Sequence, residues 1–483
     1  MRKFVDMLSD EDNEDCLTEN MDKSYKSSGS YLLDFFALAG AVRSRTEQDI
    51  LSIFYRAYSE DTLKALKLLF YFRDVRGGQG ERRTFRIITK DLAKNYPEIL
   101  RKNVRLFSEY GRWDDLVVLL DTPNLNKDLF LEVIDVISKQ LDKDKLSKNG
   151  CSLLAKWLPS ENTSSKTTIG LGAKVRTGLG LSPRVYRKML SELRAKIKIV
   201  EAQMSAKHWT EIEYPRVPSK AGMLYRKAFS KHDADRYVAY INAVKEGKVK
   251  INAGTLYPYE LYDKAQEGNN DTIEALWKAL PDYTRGENAL VMADVSGSME
   301  GRPMSVSVSL AIYFAEHNKG SFGGYYMTFS EHPKLMKVPE NTTLHAKINM
   351  IEETDVGYNT DLNKALMTIL NTAVKNKVSQ EDLPKRLYVI SDMQFDCGSI
   401  SGIEESTFKR AEAEFKTAGY KMPQVVFWQV DARHTQVPAM KYDNVVLCSG
   451  ASPVLFKQIM ENKSAEDVMN DIINSVRYAV ISV

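Results

Sequence analysis

The chain has 483 residues, of which 43% are hydrophobic and 27% charged, and its formal net charge is +3. This length allows substantial hydrophobic cores and predicts two or more domains. No apolar run approaches the roughly 18 residues of a membrane-spanning helix, and the acidic start of the chain is unlike a secretory signal. We therefore expect a soluble, cytoplasmic protein.

Metal-binding and disulfide signatures based on cysteine are absent from the sequence. The four cysteines lie far apart, without a Cys-x-x-Cys pair: Cys16, Cys151, Cys397 and Cys448. This spacing argues against a disulfide framework or a structural zinc site and fits a reducing cytoplasm.

The charge is distributed unevenly. Residues 286–483 contain 19 basic and 24 acidic residues, whereas residues 1–285 contain 48 basic and 40 acidic residues. A basic first part suits a polyanion and an acidic second part suits a cation. Ordinary scatter of charges over a large surface would give similar counts.

The first part of the chain has a helical pattern. After an acidic segment, residues 1–27, apolar residues recur at helical spacing through residues 28–285, and we find no strand signal there. Stacked helical pairs in a HEAT-like solenoid are the simplest architecture. Residues 159–183 interrupt the rhythm, and because they are rich in Ser, Thr and Gly we expect a mobile loop.

An amphipathic helix is predicted directly after this loop. One face carries apolar residues, including Val185, Met189 and Leu193. Another face carries basic residues at three- and four-residue steps, namely Arg184, Arg187, Arg194 and Lys198.

Residues 286–483 alternate strands and helices. This pattern predicts a mostly parallel, Rossmann-like sheet covered on both faces, so the whole chain is expected to be multidomain, α plus α/β. The predicted strands are residues 289–294, 324–329, 386–391, 424–430 and 445–448. Residues 334–338 are expected to add an antiparallel edge strand.

The most informative motif is Asp294-Val295-Ser296-Gly297-Ser298, which follows the first predicted strand of this sheet. Its carboxylate and two hydroxyls are hard oxygen ligands suited to Mg²⁺. Asp392 ends another buried strand, and ligands of open α/β sheets gather outside the carboxyl ends of the strands. By itself, the motif also fits an ordinary helix-capping loop.

With Thr360, which opens a further helix, these residues resemble the metal-ion-dependent adhesion site of von Willebrand factor type A domains. The resemblance implies that Asp294, Ser296 and Ser298 bind Mg²⁺ or another hard divalent cation. Thr360 and Asp392 would complete the site directly or through water. Asn359 stands where many members have glycine.

The helical part also has a resemblance, to the TROVE module of Ro autoantigen and telomerase-associated proteins. It rests on Leu32-Leu33-Asp34-Phe35-Phe36 and on Phe72-Arg73-Asp74-Val75-Arg76-Gly77-Gly78-Gln79-Gly80-Glu81-Arg82-Arg83. The whole chain is more closely similar to an uncharacterised family of plants, fungi and viruses. That similarity rests on segments such as Lys156-Trp157-Leu158-Pro159 and Ile390-Ser391-Asp392-Met393-Gln394-Phe395-Asp396.

The Ro resemblance implies a non-catalytic protein that binds structured or misfolded non-coding RNA as a ribonucleoprotein. In Ro-type proteins, a metal-binding domain closes a ring of helical repeats. Independently, basic residues of the helical part are candidates for salt-sensitive phosphate contacts: Arg73, Arg76, Arg82, Arg83, Arg184, Arg187, Arg194 and Lys198. Tyr186 or Trp209 would stack on an unpaired base. Alternatively, Arg73, Arg82 and Arg83 pair with Asp74 and Glu81 and lock neighbouring helices.

Two other functions are compatible with the sequence. In the first, a protein scaffold, the bound cation accepts an acidic residue of a protein partner. In the second, an enzyme, Asp294, Asp392 and Asp396 assemble a nuclease-like acidic site. Serine ligands suit binding better than hydrolysis, and no phosphate-cradling or hydrolase motif is present, so we expect no catalysis.

Overall fold

The computed structural model describes residues 15–17, 23–148, 150–197, 199–284, 286, 288–329, 332–353, 362–394, 407–440, 444–459 and 463–483. The chain is helical in its first part and forms a mixed sheet with helices in its last part. This confirms the predicted combination of α and α/β structure. In the part of the chain that the structure describes, no helix has the length and apolar character needed to cross a bilayer.

Helices occupy most of the chain before the sheet. Their bounds are Tyr31–Leu38, Glu47–Glu60, Thr62–Arg73, Arg83–Asn95, Pro97–Asn103, Phe107–Tyr110, Trp113–Leu119, Lys127–Leu146, Leu154–Trp157, Lys166–Gly178, Pro183–Ile197, Val200–Ser205, Ser219–His232, Ala234–Lys245, Pro258–Ala265 and Asp271–Lys278. The helices that alternate with the later strands are Arg302–His317, Leu344–Glu352, Leu362–Asn376, Thr407–Thr417, Val454–Gln458 and Ala465–Ile473.

The sheet of the last part consists of β3 (Ala289–Ala293), β4 (Tyr325–Thr328), β5 (Leu335–Lys337), β6 (Arg386–Ser391), β7 (Gln424–Gln429) and β8 (Val445–Ser449). The strand order is β5-β4-β3-β6-β7-β8. All neighbouring strands are parallel except β5, which is antiparallel to β4 at the edge. The predicted strands and the antiparallel edge strand are therefore confirmed.

Two features of the first part differ from the prediction. Residues 159–183, predicted as a loop, contain the helix Lys166–Gly178. A short antiparallel hairpin, β1 (Asp15–Leu17) with β2 (Lys23–Tyr25), precedes the helices, in the acidic segment for which we predicted no strand. Both strands have only three residues, which is too short for an alternating pattern to be recognised.

The chain divides into two compact units. We call the first the α/β unit, which joins the described residues up to Leu68 to Ala253–Arg477, and the second the helical unit, Leu69–Asn252 with Tyr478–Val483. Within the α/β unit, the first helices pack on the sheet: the Ser449 hydroxyl at the end of β8 donates to the Phe36 carbonyl (3.0 Å).

An aromatic core holds the helical unit together. Phe70, Phe85 and Phe107 pack edge to face, with ring centroids 5.0–5.8 Å apart, and Phe70 lies 5.3 Å from Tyr110. All four side chains are buried. Such pairs stabilise the packing of successive helices beyond the burial of their area.

Candidate metal centre and basic surface

Parallel pairing of β3 and β6 brings the two predicted aspartates to one edge of the sheet. Ala293 is opposite Ile390, so Asp294 and Asp392 both follow the carboxyl ends of adjacent central strands. All residues of both strands are buried, as expected for parallel strands covered on both faces. Asp294 is fully buried and Asp392 is 1% exposed.

Asp294 accepts two hydrogen bonds. The Ser391 hydroxyl donates to Oδ2 (2.6 Å), and the Ser296 backbone amide donates to Oδ1 (3.0 Å). Burial, followed by the negative charge of Asp392, nevertheless raises the pKa of Asp294 to about 6. The site thus stabilises the geometry of this carboxylate but leaves its charge incompletely compensated.

The two serines of the motif connect Asp294 to Asp392. The Ser296 and Ser298 hydroxyl oxygens are 3.0 Å apart, and Ser298 interacts with the Asp392 carboxylate. Burial raises the pKa of Asp392 as well, against the opposing effects of Ser298, the Gln394 amide and Arg433.

One oxygen of this group lacks a hydrogen bond. Among the described residues, none donates to the buried Oδ2 of Asp392. Arg433 Nε lies 3.3 Å from this oxygen, which makes an ion pair without hydrogen-bond geometry. Nη2 of Arg433 donates to the Ser298 carbonyl (2.5 Å). Arg433 therefore borders the group and neutralises part of its charge.

This donor set is chemically suited to a hard cation. Two carboxylates and two hydroxyls converge, which are oxygen ligands of the kind that Mg²⁺ takes. Within the described ranges, no three His, Cys, Asp or Glu side chains gather as for a metal ion. A site with two carboxylates and two serine hydroxyls does not contain three such side chains, so this finding does not bear on it.

The structure does not describe two of the residues that the sequence predicted for this site. Thr360, the predicted fifth member of the metal site, and Asp396, of the nuclease-like alternative, lie outside the described residues. Conversely, the sequence reasoning missed Ser391 and Arg433. A signal existed for both, since Ser391 ends β6 and Arg433 follows β7, the next strand at the same edge.

Arg73, predicted to contact RNA, is buried in the helical unit. It is 2% exposed, and its Nε donates to Asp115 Oδ2 (2.9 Å). The structural alternative named Asp74 and Glu81 as its partners, so the pairing with Asp115 is new. Arg73 is accordingly not on a surface that RNA can reach, because its guanidinium joins two helices inside the core.

The glycine-rich turn beside Arg73 is also built for packing. A Cβ atom on Gly78 would lie 2.0 Å from the Tyr71 carbonyl oxygen, so only glycine fits. Asp74 is fully buried and accepts from the Arg76 amide (2.9 Å) and the Tyr478 hydroxyl (3.0 Å). The Arg76 guanidinium donates to the Glu109 carbonyl, although the residue is exposed.

The predicted basic helix face divides into two groups. Arg184 and Arg187 are exposed. Arg194 instead donates to the Ala155 carbonyl (2.9 Å), the Leu158 carbonyl (2.8 Å) and the Ser160 hydroxyl (2.8 Å). Arg194 thus holds the preceding segment in place. Lys198 lies outside the described residues.

The two predicted stacking residues also differ. Tyr186 is fully buried, and its hydroxyl donates to the Pro159 carbonyl (3.0 Å), so its ring does not face solvent. Trp209 is partly exposed and stacks on the exposed His232, with ring centroids 4.5 Å apart and an interplanar angle of 13°. Of the two, Trp209 is the side chain that a base can reach.

Comparison with known proteins agrees with the two-part organisation of the sequence. Residues 288–479 match the family described as a domain of unknown function (DUF7788), and residues 18–128 and 180–291 match another (DUF2828). The chain is 32% identical to Uncharacterized protein L728 of Acanthamoeba polyphaga mimivirus, over 92% of this chain and 84% of the viral one. The chain therefore belongs to the same uncharacterised family as this viral protein.

Proposed function

We propose that the α/β unit binds one hard divalent cation, Mg²⁺ foremost, in the manner of the metal-ion-dependent adhesion site of von Willebrand factor type A domains. The observation that carries this proposal is the buried pair Asp294 and Asp392 at one sheet edge, with both pKa values raised. A cation between them would relieve the cost of two buried charges.

The residues present fit such an ion. Asp294, Ser296, Ser298 and Asp392 would hold it, and Thr360 is the proposed fifth member. The donor-free Asp392 Oδ2 supports the assignment, because a buried carboxylate oxygen is usually satisfied. When bound, the cation would supply an open coordination position for an acidic group of a partner. The proposed role is therefore binding rather than catalysis.

Thermal melting with and without MgCl₂ tests the cation site. At about 100 times its dissociation constant, Mg²⁺ is expected to stabilise the protein by about 2.7 kcal/mol. The variant Asp294→Asn should lose this stabilisation, because it keeps the shape of the side chain but removes its charge. Asp34→Asn is the matched control, since Asp34 is also buried with a raised pKa but bonds to Ser27 and Ser28.

The same variant separates a structural ion from one that recruits a partner. If Asp294→Asn lowers stability in Mg²⁺ but leaves capture of cellular partners unchanged, the cation is structural. Loss of Mg²⁺-dependent capture at temperatures where the variant remains folded supports recruitment. A wild-type protein whose melting temperature ignores Mg²⁺, Mn²⁺ and Ca²⁺ contradicts the cation site altogether.

RNA binding by the helical unit is the second candidate function, and the Trp209–His232 pair favours it. Trp209 packs on a hydrophobic cluster and stacks on the exposed His232, so the pair offers a partly exposed ring surface to an unpaired base. Exposed Arg76, Arg184 and Arg187 lie in the same unit and are suited to phosphates. We propose structured or misfolded non-coding RNA as the ligand, as the resemblance to TROVE proteins implies.

Binding of a structured RNA across a potassium chloride series tests this second function. We expect the affinity to fall steeply as the salt concentration rises. The slope of the logarithm of affinity against the logarithm of salt concentration should be roughly −0.7 to −0.9 for each phosphate neutralised. Trp209→Ala should weaken binding to RNA with unpaired bases by about 1–3 kcal/mol. Absence of binding at low salt, or a flat response, contradicts RNA binding, and Mg²⁺-dependent cleavage of the labelled RNA contradicts the non-catalytic role.

A further inference from the structure

Four arginines and two aspartates form a cluster in the helical unit. Asp115 is fully buried and receives Arg73 (2.8 Å) and Arg86 (2.7 Å), one on each carboxylate oxygen. Asp114 Oδ2 receives Arg86 (2.7 Å) and Arg112 (3.1 Å). The fourth arginine, Arg82, directly precedes the helix that carries Arg86. We call these six residues the arginine cluster.

The positive charges of the arginine cluster exceed its negative charges by two. Arg82 is exposed, and among the described residues it forms no ion pair with a carboxylate. Its pKa is lowered, first by partial burial and then by the charges of Arg112 and Arg86, with Asp114 opposing them. Gathered like charges are unfavourable unless a counter-charge is nearby. Within the arginine cluster, the two aspartates supply only part of that counter-charge.

The side chain of Arg112 is fixed rather than free to move away. Its guanidinium carbon lies 4.4 Å from the centre of the Trp157 ring, and its Nη2 contacts Asp114. Asp115 also accepts a hydrogen bond from the Arg112 backbone amide (3.0 Å), so both the backbone and the side chain of Arg112 are fixed. A cation stacked on an aromatic face is preorganised, which reduces the entropy lost when a ligand binds.

We infer that Arg82 and Arg112 form a phosphate-binding site for an RNA backbone, with Arg73, Arg86 and the two aspartates as its support. The planar guanidinium matches two phosphate oxygens at once. A phosphodiester would supply the missing negative charge without the specific side-chain pocket that a phosphorylated peptide needs. This inference rests on the proposed RNA-binding function and assigns it a location.

The test compares Arg82→Gln, Arg112→Gln and the double variant with wild type, using fluorescence anisotropy of a labelled structured RNA from low to high potassium chloride. Each single change is expected to weaken binding about tenfold and to reduce the salt slope by about one. The reduction should be similar for RNAs of different sequence, because phosphate contacts carry no base information. Arg82→Lys, which keeps the charge, should recover part of the affinity.

Arg216→Gln is the matched control. Arg216 lies in the same unit, is 81% exposed and pairs with Glu213, so this variant removes the same charge away from the arginine cluster. It should bind RNA like wild type. Circular dichroism melts of all variants show whether they fold, and Arg82→Gln should melt like wild type because Arg82 has no ion pair to lose.

The outcomes separate the two proposals. If wild type binds RNA with a salt slope and the arginine variants match it, the phosphate site is wrong while RNA binding stands. If wild type binds no RNA at low salt, both proposals fall. A parallel titration with a phosphoserine peptide covers the remaining ligand class: peptide binding that Arg82→Gln abolishes, with RNA binding unchanged, overturns the RNA assignment.

Discussion

The strand-end site of the α/β unit and the arginine cluster of the helical unit are opposite solutions to one electrostatic problem. Each buries ionised groups that the surrounding protein compensates incompletely. At the strand ends, two carboxylates face one bordering arginine, and the pKa of Asp294 rises. In the arginine cluster, four arginines share two carboxylates. Partial burial, followed by the charges of Arg112 and Arg86, lowers the pKa of Arg82. Against the effect of burial, Asp115 and Asp114 raise the pKa of Arg86. In each case the sign of the residual charge indicates the sign of the missing ligand.

The comparison also separates structural from ligand-facing charges. At the strand ends, the donor-free oxygen belongs to the buried Asp392. In the arginine cluster, the exposed Arg82 has no carboxylate partner among the described residues, and the buried Asp114 Oδ1 also lacks a donor, whereas the buried Arg73 is fully engaged with Asp115. Exposure alone therefore does not identify the group that meets a ligand; the balance of charge and hydrogen bonds does.

The largest expected effect on stability comes from replacing Asp115, the fully buried carboxylate of the arginine cluster. Asp115→Ala leaves Arg73 buried without its partner and should lower the free energy of unfolding by about 3–5 kcal/mol. Urea denaturation measures the loss. Asp135→Ala is the control, because Asp135 is 44% exposed and its ion pair with Lys139 should contribute less than about 1 kcal/mol. Equal, small effects would mean that the arginine cluster does not stabilise the fold.

The contribution of Asp294 to stability should depend on pH. The pKa of Asp294 is about 6 in the folded protein, above its ordinary value, so the folded state binds this proton more tightly than the unfolded state. Its stabilising contribution is therefore complete below the unfolded pKa and is lost as the pH rises through 6. Mg²⁺ replaces the proton, so its affinity at pH 5 should be roughly tenfold weaker than at pH 7.5.

Melting temperatures at both pH values, with and without Mg²⁺, check this prediction. We expect the difference due to Mg²⁺ to be larger at pH 7.5. Asp294→Asn should show neither the Mg²⁺ shift nor its pH dependence. A Mg²⁺ shift that grows as the pH falls would have the wrong sign for a carboxylate site.

The smaller effects concern the helix Pro183–Ile197. Arg194→Gln removes the guanidinium that donates to three oxygens of the preceding segment, and should cost about 2 kcal/mol of stability. Arg187→Gln, on the same helix but exposed, should change stability by less than about 0.5 kcal/mol. Paired thermal melts distinguish them. If both variants melt alike, the division of this face into structural and exposed arginines is wrong.

The sheet was predictable from sequence because its strands are continuous apolar runs. The positions of Asp294 and Asp392 followed from those strands, since a parallel sheet collects its carboxyl ends at one edge. The position of Ser391 at the end of β6 could be read from the sequence, but the acceptor of its hydroxyl could not, because it depends on the register between β3 and β6. Arg433 required knowing that β7 lies beside β6.

The helix Lys166–Gly178 was missed because its glycines were interpreted as flexibility. A Cβ atom on Gly178 would lie 2.7 Å from the Ile134 side chain, so this glycine allows two helices to approach closely. Composition does not distinguish this use of glycine from a loop. Likewise, nothing local in the sequence shows that Tyr31–Leu38 packs against β8 of the α/β unit.

A calorimetric titration of the metal-free protein with Mg²⁺ at pH 7.5, beside the same titration of Asp294→Asn, tests the cation site at the strand ends. We expect one bound ion per wild-type chain, little proton release because a carboxyl group with a pKa of about 6 is already ionised at this pH, and no binding heat for the variant. Equal binding by the two proteins, or none by wild type, would contradict the proposal that the strand-end carboxylates hold a cation.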